Sequence, residues 1–437
     1  MALSARTLFR SLRHRNFRLY FVGQSLSLIG TWTQSTTMGW LVDRLTGSAA
    51  MQGVVGSLAQ LPALLLPPFA GVLTDRFNRK HLVITTQALA MVQAFGLAAL
   101  VAFGHVRIWE FIVFNLLLSA INAFDMPARQ TFIGDMLSDR EDLANALAIN
   151  SSIVNGARLI GPSLAASLIV VVGEAGGFLV NGLSFVAVIV CLAAMRIPKR
   201  KRPLVAPPVW VGLREGWSYV RGPGPIRAVL GVVAAVSLFG LPYGLLLPRY
   251  THTVFGGTAS EYALLMTAPG VGALIAGIFI IARGMRGITR RIAVSPMIAG
   301  ISLAAVAWTH NLYIASTLLV VVGFGFLLIL NSANMLLQTI AEPGMRGRVL
   351  SYYTIAFIGM APIGNLLIPG AAEFFGIPAA LQASGAACCL AGGLFALGVP
   401  SYRAEIRRRL AADPKEHPPT AAADSQVSMW AIIPAVK

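Results

Sequence analysis

A cluster of charged residues interrupts the apolar sequence between residues 66 and 84, LPPFAGVLTDRFNRKHLVI. Asp75, Arg76, Arg79 and Lys80 stand close together at the junction of two long apolar runs. A carboxylate in this position can face the positive N-terminus of a neighbouring helix, and the basic residues can pair with a second carboxylate. The chemistry that this cluster indicates is electrostatic contact between helices.

The other residues with catalytic or metal-binding potential do not form a recognisable site. Cys191, Cys388 and Cys389 lie in apolar segments, and the six histidines are scattered along the chain. The sequence has no Cys-x-x-Cys pair with nearby histidines, no G-x-S-x-G, no Walker loop and no H-E-x-x-H. We therefore expect neither an enzyme nor an ATP-driven pump, and no cofactor or metal ion.

The composition indicates that the elements positioning these charges are membrane helices. Hydrophobic residues make up 56% of the chain and charged residues only 12%. The mean hydropathy is +0.72, which is far too apolar for a water-soluble chain of this length. Apolar windows of about 20 residues, each able to cross a ~30 Å hydrocarbon core, recur along almost the whole chain. The sequence predicts an all-α polytopic protein with about twelve transmembrane helices.

The distribution of Lys and Arg predicts the orientation of these helices. The arginine-rich N-terminal segment is followed by an apolar span without a small-residue cleavage site, so we expect it to stay in the cytoplasm. With alternating spans, Arg44, Arg107 and Arg249 alone fall on the outer side, and both termini are cytoplasmic. The net charge of +17 is spread over the inner loops, which favours contact with anionic lipid headgroups over nucleic acid.

A basic stretch rich in Pro and Gly divides the chain into two halves. A shift of the sequence by 203 residues superposes Gly156 on Gly359 and Gly161 on Gly364, which favours two pseudo-symmetric bundles. The predicted division is an N-terminal six-helix bundle (1–196), a cytoplasmic basic linker (197–225), a C-terminal six-helix bundle (226–400) and a disordered cytoplasmic tail (401–437).

Two motifs carry a resemblance to a known family. GVLTDRFNRK resembles the loop signature that follows the second helix in the major facilitator superfamily of transporters, with Asn78 where the family usually has Gly. NGARLIGPSL resembles the superfamily's antiporter motif. Together with DMPARQTFIGDML and NMLLQTIAEPGMRGRVL, these segments are similar to the secretion-effector branch, which includes the enterobactin exporter and macrolide efflux carriers. The resemblance covers about residues 8–400 and implies a bacterial inner-membrane exporter with the major facilitator fold.

The resemblance also implies roles for the charged loop. Gly71 would let a neighbouring helix approach closely, and Asp75 would latch the outward-facing state against the N-terminus of the eleventh helix. Arg76 and Arg79 would anchor to Asp125, near the inner end of the fourth span. In the alternative interpretation, these charges are only interfacial anchors.

In the antiporter motif, Gly156, Gly161 and Pro162 would shape a helix at the interface of the two halves, with Pro162 as a point of flexion. Arg158 lies deep inside the same span, where a charge nearly always faces a cavity or a partner. It either donates hydrogen bonds to neighbouring helices or attracts an anionic group of the substrate. The sequence favours the first interpretation, because the arginine belongs to the motif.

Helices one, four, seven and ten line the transport pathway in this superfamily, so their polar residues are candidates for substrate binding. Polar side chains in membrane helices also join helices to each other, and this alternative stays open. The candidates are Gln24, Trp32, Gln34, Asn115, Asn122, Arg158, Tyr243, Asn331 and Asn334.

We expect a monomeric secondary exporter, driven by protons, of a small organic molecule such as a siderophore, a macrolide or a related drug. The candidates for proton coupling are Asp43, beside Arg44 at the outer end of the first span, and Asp125. Arg44 would hold Asp43 in its ionised form. The alternatives are a lipid or lysolipid flippase of the same fold, a membrane scaffold and a membrane-embedded enzyme.

Overall fold

The computed structural model describes residues 10–66, 78–137, 142–196, 219–222, 224–342 and 344–411. Every regular element within these ranges is a helix. Ten of the helices are long and apolar enough to cross a membrane, which confirms the expected all-α polytopic protein.

The helices are numbered here in chain order. A short 3-10 turn, Arg10–Arg13, precedes α1, and a second one, Gly134–Met136, follows α4. The helices are α1 Arg15–Thr46, α2 Ala49–Leu65, α3 Arg79–Ala102, α4 Ile108–Ile133, α5 Leu143–Val172, α6 Glu174–Ala193, α7 Pro225–Phe255, α8 Ala259–Arg283, α9 Ile288–Val306, α10 Leu312–Ile340, α11 Arg346–Phe375 and α12 Ile377–Ala411.

Helices α1 and α2 are not among the ten candidate spans. The described part of α2 has 17 residues, just under the length needed, and α1 carries a long series of Ser, Thr and Gln residues. The predicted total of about twelve spans therefore stays a prediction.

The packing of α1–α6 is repeated in α7–α12, which we call the first and second halves. In the first half α1 packs on α5 and α6, and α3 packs on α4 and α6. In the second half α7 packs on α11 and α12, and α9 packs on α10 and α12. The two halves meet along two seams, α2 with α11 and α5 with α8. Each contact thus has a counterpart six helices further along the chain, as parallel repeats of a transporter fold produce.

Two glycines that the 203-residue shift superposes lie at equivalent helix crossings. A Cβ on Gly161 of α5 would lie 2.4 Å from the Cβ of Trp32 in α1. A Cβ on Gly364 of α11 would lie 2.2 Å from the carbonyl oxygen of Leu238 in α7. Larger side chains would force these helices apart, because small residues set the closest approach of membrane helices.

Helices α7 and α11 are each interrupted near the middle by a π-helical segment, Val236–Gly240 and Ile355–Gly359. The two segments are in contact, and the hydroxyl of Ser237 donates a hydrogen bond to the carbonyl oxygen of Phe357. Such segments disturb the regular backbone ladder and occur often at functional sites. The second half therefore has an irregular backbone within two of its candidate spans, next to the seam between the halves.

Candidate functional site

Near the middle of α5, the charged side chain of Arg158 lies against the aromatic ring of Trp32. Arg158 lies at the middle of the 30-residue helix α5 and is partly buried. Its guanidinium carbon is 5.2 Å from the centroid of the Trp32 ring, close enough for a cation–π contact. In the described part of the chain, Arg158 has no hydrogen bond and no salt bridge to a protein group.

The second half completes this region. Tyr243 of α7 is buried and lies within electrostatic range of the Arg158 charge. Gly270 of α8 packs on the backbone of the same arginine, and a Cβ there would lie 3.7 Å from the Arg158 carbonyl oxygen. We call Trp32, Arg158 and Tyr243 the central site. It draws side chains from α1, α5 and α7 and therefore from both halves.

A second charged group joins the halves at the end of α1. Asp43 is only 3% exposed, and its carboxylate faces two basic side chains of α7. One oxygen is 3.5 Å from His252 Nδ1, and the other is 4.0 Å from Arg249 Nε. Trp40, one turn earlier in α1, stacks on Tyr262 of α8 with ring centroids 5.8 Å apart. We call Asp43, Arg249 and His252 the outer cluster.

The prediction that Arg44 contacts Asp43 is wrong. Arg44 pairs with Glu174 at the start of α6, with Nε 2.6 Å from the carboxylate oxygen. Consecutive residues of a helix point in directions about 100° apart, so Arg44 leaves the buried face that Asp43 occupies. The charges near Asp43 come instead from α7, where the sequence pattern gives no local signal for them.

Asp125, the other candidate carboxylate, is fully buried within the first half. It accepts hydrogen bonds from Thr86 Oγ1 at 2.7 Å and from Gln87 Nε2 at 2.9 Å, both in α3. Arg129, one turn further along α4, places Nη2 at 2.7 Å from the same carboxylate. The i, i+4 spacing of Asp125 and Arg129 was a signal for this pair that the sequence analysis overlooked.

The expected contact of Arg79 with Asp125 is also not the one observed. Arg79, the first residue of α3, donates from Nη1 to Asp135 at 3.0 Å. Asp135 lies in the 3-10 turn that follows α4, ten residues beyond Asp125. Lys80, also in the predicted cluster, donates from Nζ to the Ala193 and Met195 carbonyl oxygens at 3.0 and 2.7 Å. Gly71, Asp75 and Arg76 lie outside the described residues.

A further carboxylate fixes the segment before α1. Asp142 precedes α5, and its side chain is buried. Its Oδ2 atom is 2.7 Å from His14 Nε2 and 3.0 Å from Arg13 Nη2, and Arg10 pairs with its Oδ1 atom. The hydrogen bond to His14 and the contacts with the two arginines lower the pKa of Asp142 to about 2. The carboxylate is therefore ionised at neutral pH and holds the Arg10–Arg13 turn against the start of α5.

The residues of the antiporter motif differ in their contacts. Gly161 meets Trp32 directly, whereas a Cβ on Gly156 would find open space within 4 Å. Pro162 is buried, and α5 continues as one helix from Leu143 to Val172 around it. The motif therefore acts here mainly through the close α1–α5 crossing at Gly161.

The candidate residues for substrate binding differ in their hydrogen bonds and in their burial. Gln34 joins helices: its carbonyl oxygen accepts from Asn181 Nδ2 at 2.7 Å, and its amide nitrogen is 3.4 Å from Gln93 Oε1. Asn334 accepts a hydrogen bond from Gln338 of its own helix. Gln24 and Asn115 are buried, whereas Asn122 and Asn331 are exposed. The structure thus brings Trp32, Arg158 and Tyr243 together and assigns Gln34 to helix packing.

The arrangement has ion pairs and aromatic contacts, but the described residues contain no group of three or more His, Cys, Asp or Glu side chains that could hold a metal ion. The geometry provides the Arg158 cation near the middle of α5 and, at one end of the helices, the buried Asp43 carboxylate between the halves. At the other end, the pairs Asp125–Arg129 and Arg79–Asp135 lie within the first half.

Comparisons of the sequence identify related transporters. The family model described as transmembrane secretion effector matches residues 6–427. The staphyloferrin A transporter of Staphylococcus aureus is 26% identical over 368 residues, covering 82% of this chain and 90% of the relative. The multidrug efflux pump Tap of Mycobacterium tuberculosis is also 26% identical, covering 83% and 88%. Macrolide efflux protein A of Streptococcus pyogenes is 24% identical, covering 84% and 92%.

Solved structures with the same fold include a bacterial homologue of the human lysosomal transporter Spinster, in an inward-facing and unoccupied conformation. Its TM-score is 0.70 at 16% identity, covering 90% of this chain and 98% of that one. The nucleoside transporter NupG gives a TM-score of 0.67 at 13% identity, covering 89% and 99%. At these identities the likeness establishes the fold.

Proposed function

The chain belongs to the transmembrane secretion effector family of major facilitator transporters, and we propose that it exports a small organic molecule by alternating access coupled to protons. It is a transporter and not an enzyme. The relatives named above include multidrug and macrolide efflux proteins, which supports efflux of a drug-like or siderophore-like compound. We place it in a bacterial inner membrane, with Asp43 at the outer end of α1 and both termini in the cytoplasm.

The observation that carries the proposal is the outer cluster. Asp43 belongs to the first half, and Arg249 and His252 belong to the second. Close by, Glu373 at the end of α11 accepts hydrogen bonds from the hydroxyl of Ser48 and the backbone of Ala50, each at 3.1 Å. These contacts hold the halves together at their outer ends. A carrier that alternates between two faces has to form and break contacts of this kind.

We expect the halves to move against each other along the α2–α11 seam. A Cβ on Gly53 would lie 2.3 Å from the carbonyl oxygen of Asn365, and Ser57 donates a hydrogen bond to the Pro362 carbonyl at 2.8 Å. Small residues thus bring the two helices close together here. A seam of small residues suits a rocking motion of one rigid half against the other.

Proton coupling requires a carboxylate whose protonation changes the contact between the halves. Protonation of Asp43 would remove the charge that attracts Arg249 and His252, and it would therefore favour separation of the outer ends. Asp125 is different, because Thr86, Gln87 and Arg129 all belong to its own half. We therefore assign the coupling role to Asp43 rather than to Asp125.

The test is transport in proteoliposomes with erythromycin as the probe. Wild-type protein should accumulate erythromycin inside the vesicles, against its gradient, when the vesicle interior is more acidic than the medium. Protons that leave the interior then drive the substrate inward. Asp43→Asn should abolish this accumulation and preserve downhill exchange, because binding and rocking survive without the charge. Glu174→Gln is the matched control, since this carboxylate lies at the same end but pairs within the first half.

Accumulation by Asp43→Asn at the wild-type level would exclude Asp43 as the coupling site. Loss of accumulation in Glu174→Gln to the same extent would show a general electrostatic effect of the outer end. Transfer of a fluorescent lysolipid between leaflets, without uptake of erythromycin, would instead favour the flippase alternative.

A further inference from the structure

We propose that Arg158 binds an anionic oxygen group of the transported molecule, so that the preferred substrates carry a carboxylate or phosphate beside an aromatic or apolar body. This inference rests on the proposed export function and adds the substrate class to it. It concerns the central site, where Trp32 contacts Arg158 and Tyr243 of the second half lies within electrostatic range of the arginine.

The first argument is the missing counter-ion. A charge at the middle of a membrane span is costly unless a partner or water compensates it. The buried carboxylates of the described structure are engaged elsewhere: Asp43 faces Arg249 and His252, Asp125 pairs with Arg129, and Asp142 binds the Arg10–Arg13 turn and His14. Arg158 therefore keeps a positive charge at the centre of the protein without a protein anion to neutralise it.

The second argument is the geometry of the guanidinium group. The guanidinium carbon lies 5.2 Å from the centroid of the Trp32 ring, and a cation–π contact needs no hydrogen-bond acceptor, so it leaves the N–H donors of Arg158 available. Those donors match the two oxygens of a carboxylate or phosphate. Trp32 thus contacts Arg158 without using its hydrogen-bonding capacity.

The third argument comes from the other half. In the described structure the hydroxyl of Tyr243 makes no hydrogen bond to another residue, although Tyr243 is buried near Arg158. An anionic group seated on Arg158 could accept a hydrogen bond from this hydroxyl. A ligand held by both residues would join the two halves at mid-membrane, where a transported molecule has to be bound.

The alternative was that Arg158 holds neighbouring helices together through hydrogen bonds. The described structure gives Arg158 no such bond to the protein, and the close approach of α5 to α1 occurs at Gly161. Gly161 therefore performs the packing role, and the arginine is left for a ligand.

The experiment measures binding to the purified full-length protein in detergent with two matched pairs of probes. The first pair is 1-pyrenebutyrate and its methyl ester, which differ only in charge at the end of the chain. The second is a lysophosphatidate and the monoacylglycerol of the same chain length. Wild-type protein should bind at least one anion about tenfold or more tightly than its neutral partner, as expected for a charge-assisted contact.

Arg158→Gln should reduce this preference to about twofold or less while binding of the neutral probes stays nearly unchanged. Arg158→Lys, which keeps the charge, should retain part of the preference and guards against loss of folding in the glutamine variant. Arg283→Gln is the matched control: Arg283 lies 5.5 Å from the Phe279 ring in a similar cation–π contact, but at the exposed end of α8.

Preference for pyrenebutyrate supports a soluble organic anion, and preference for lysophosphatidate alone supports the same anionic site with a lipid as its source. The proposal is overturned if wild-type protein shows no preference for either anion, or if Arg158→Gln weakens charged and neutral probes equally. Failure of gradient-driven accumulation of both erythromycin and pyrenebutyrate in proteoliposomes would contradict the export function separately, because the binding assay needs no gradient.

Discussion

Replacing Gly161 by alanine should open a tight helix crossing of the first half, that of α5 with α1. The added Cβ would lie 2.4 Å from the Cβ of Trp32 and 3.0 Å from the backbone nitrogen of Thr33. Carbon atoms in ordinary contact are ~3.5–4.0 Å apart. Because part of the obstacle is backbone, α1 and α5 would have to separate by more than ~1 Å.

The expected loss follows from this overlap. Overpacking of a tightly packed interior costs about 1–3 kcal/mol, and the gain in helix propensity from Gly to Ala offsets at most about 1 kcal/mol. Gly156, on the same helix, has open space around its would-be Cβ. Gly156→Ala should therefore be neutral or stabilise the protein by about 0.5–1 kcal/mol. The two variants should differ by about 1–3 kcal/mol in the free energy of unfolding.

The measurement is reversible unfolding of both variants in mixed micelles, followed by size-exclusion chromatography to verify a single species. Gly161→Ala should also weaken binding at the central site, because Trp32 carries the contact with Arg158. The reasoning fails if the two alanine variants are equally stable, or if Gly156→Ala is the less stable of the two.

Two further predictions concern the end of the first half that we expect to face the cytoplasm. The lowered pKa of Asp142 means that its contacts with His14 and Arg10 contribute fully above pH 3.8 and are lost as the pH falls through about 2. Asp142→Asn should thus release the N-terminal segment at pH 7, seen as faster tryptic cleavage at Arg10, and an unchanged rate would contradict this. For the Arg79–Asp135 pair, Arg79→Gln and Asp135→Asn should each cost about 1 kcal/mol, and the double variant no more than the larger single loss. Additive losses would show that the two side chains act independently.

The sequence alone predicted the class of the molecule because membrane insertion depends on local properties. Long apolar windows have to be helices in lipid, where every backbone group needs an internal partner. The regular return of glycines after 203 residues likewise predicted equivalent crossings, and Gly161 and Gly364 occupy them. The family motifs in the antiporter segment identified the helix that carries Arg158.

The partners of individual charges were not predictable in the same way. The sequence predicts Arg44 as the partner of Asp43, yet the basic side chains near the Asp43 carboxylate are Arg249 and His252, far along the chain. Arg79 was matched with Asp125, yet it binds Asp135. Which side chains meet depends on the rotation and tilt of each packed helix, and a difference of one residue turns a side chain by about 100°.

The same distinction applies to the polar residues of α1. The sequence shows that Gln34 and Trp32 share a polar helix, and it makes both of them candidates for substrate binding. Tertiary packing alone decides that Gln34 turns to Asn181 and Gln93 while Trp32 turns to Arg158. Local hydrophobicity determines that a helix enters the membrane, whereas contacts between helices that are distant in sequence determine which of its residues remain available to a substrate.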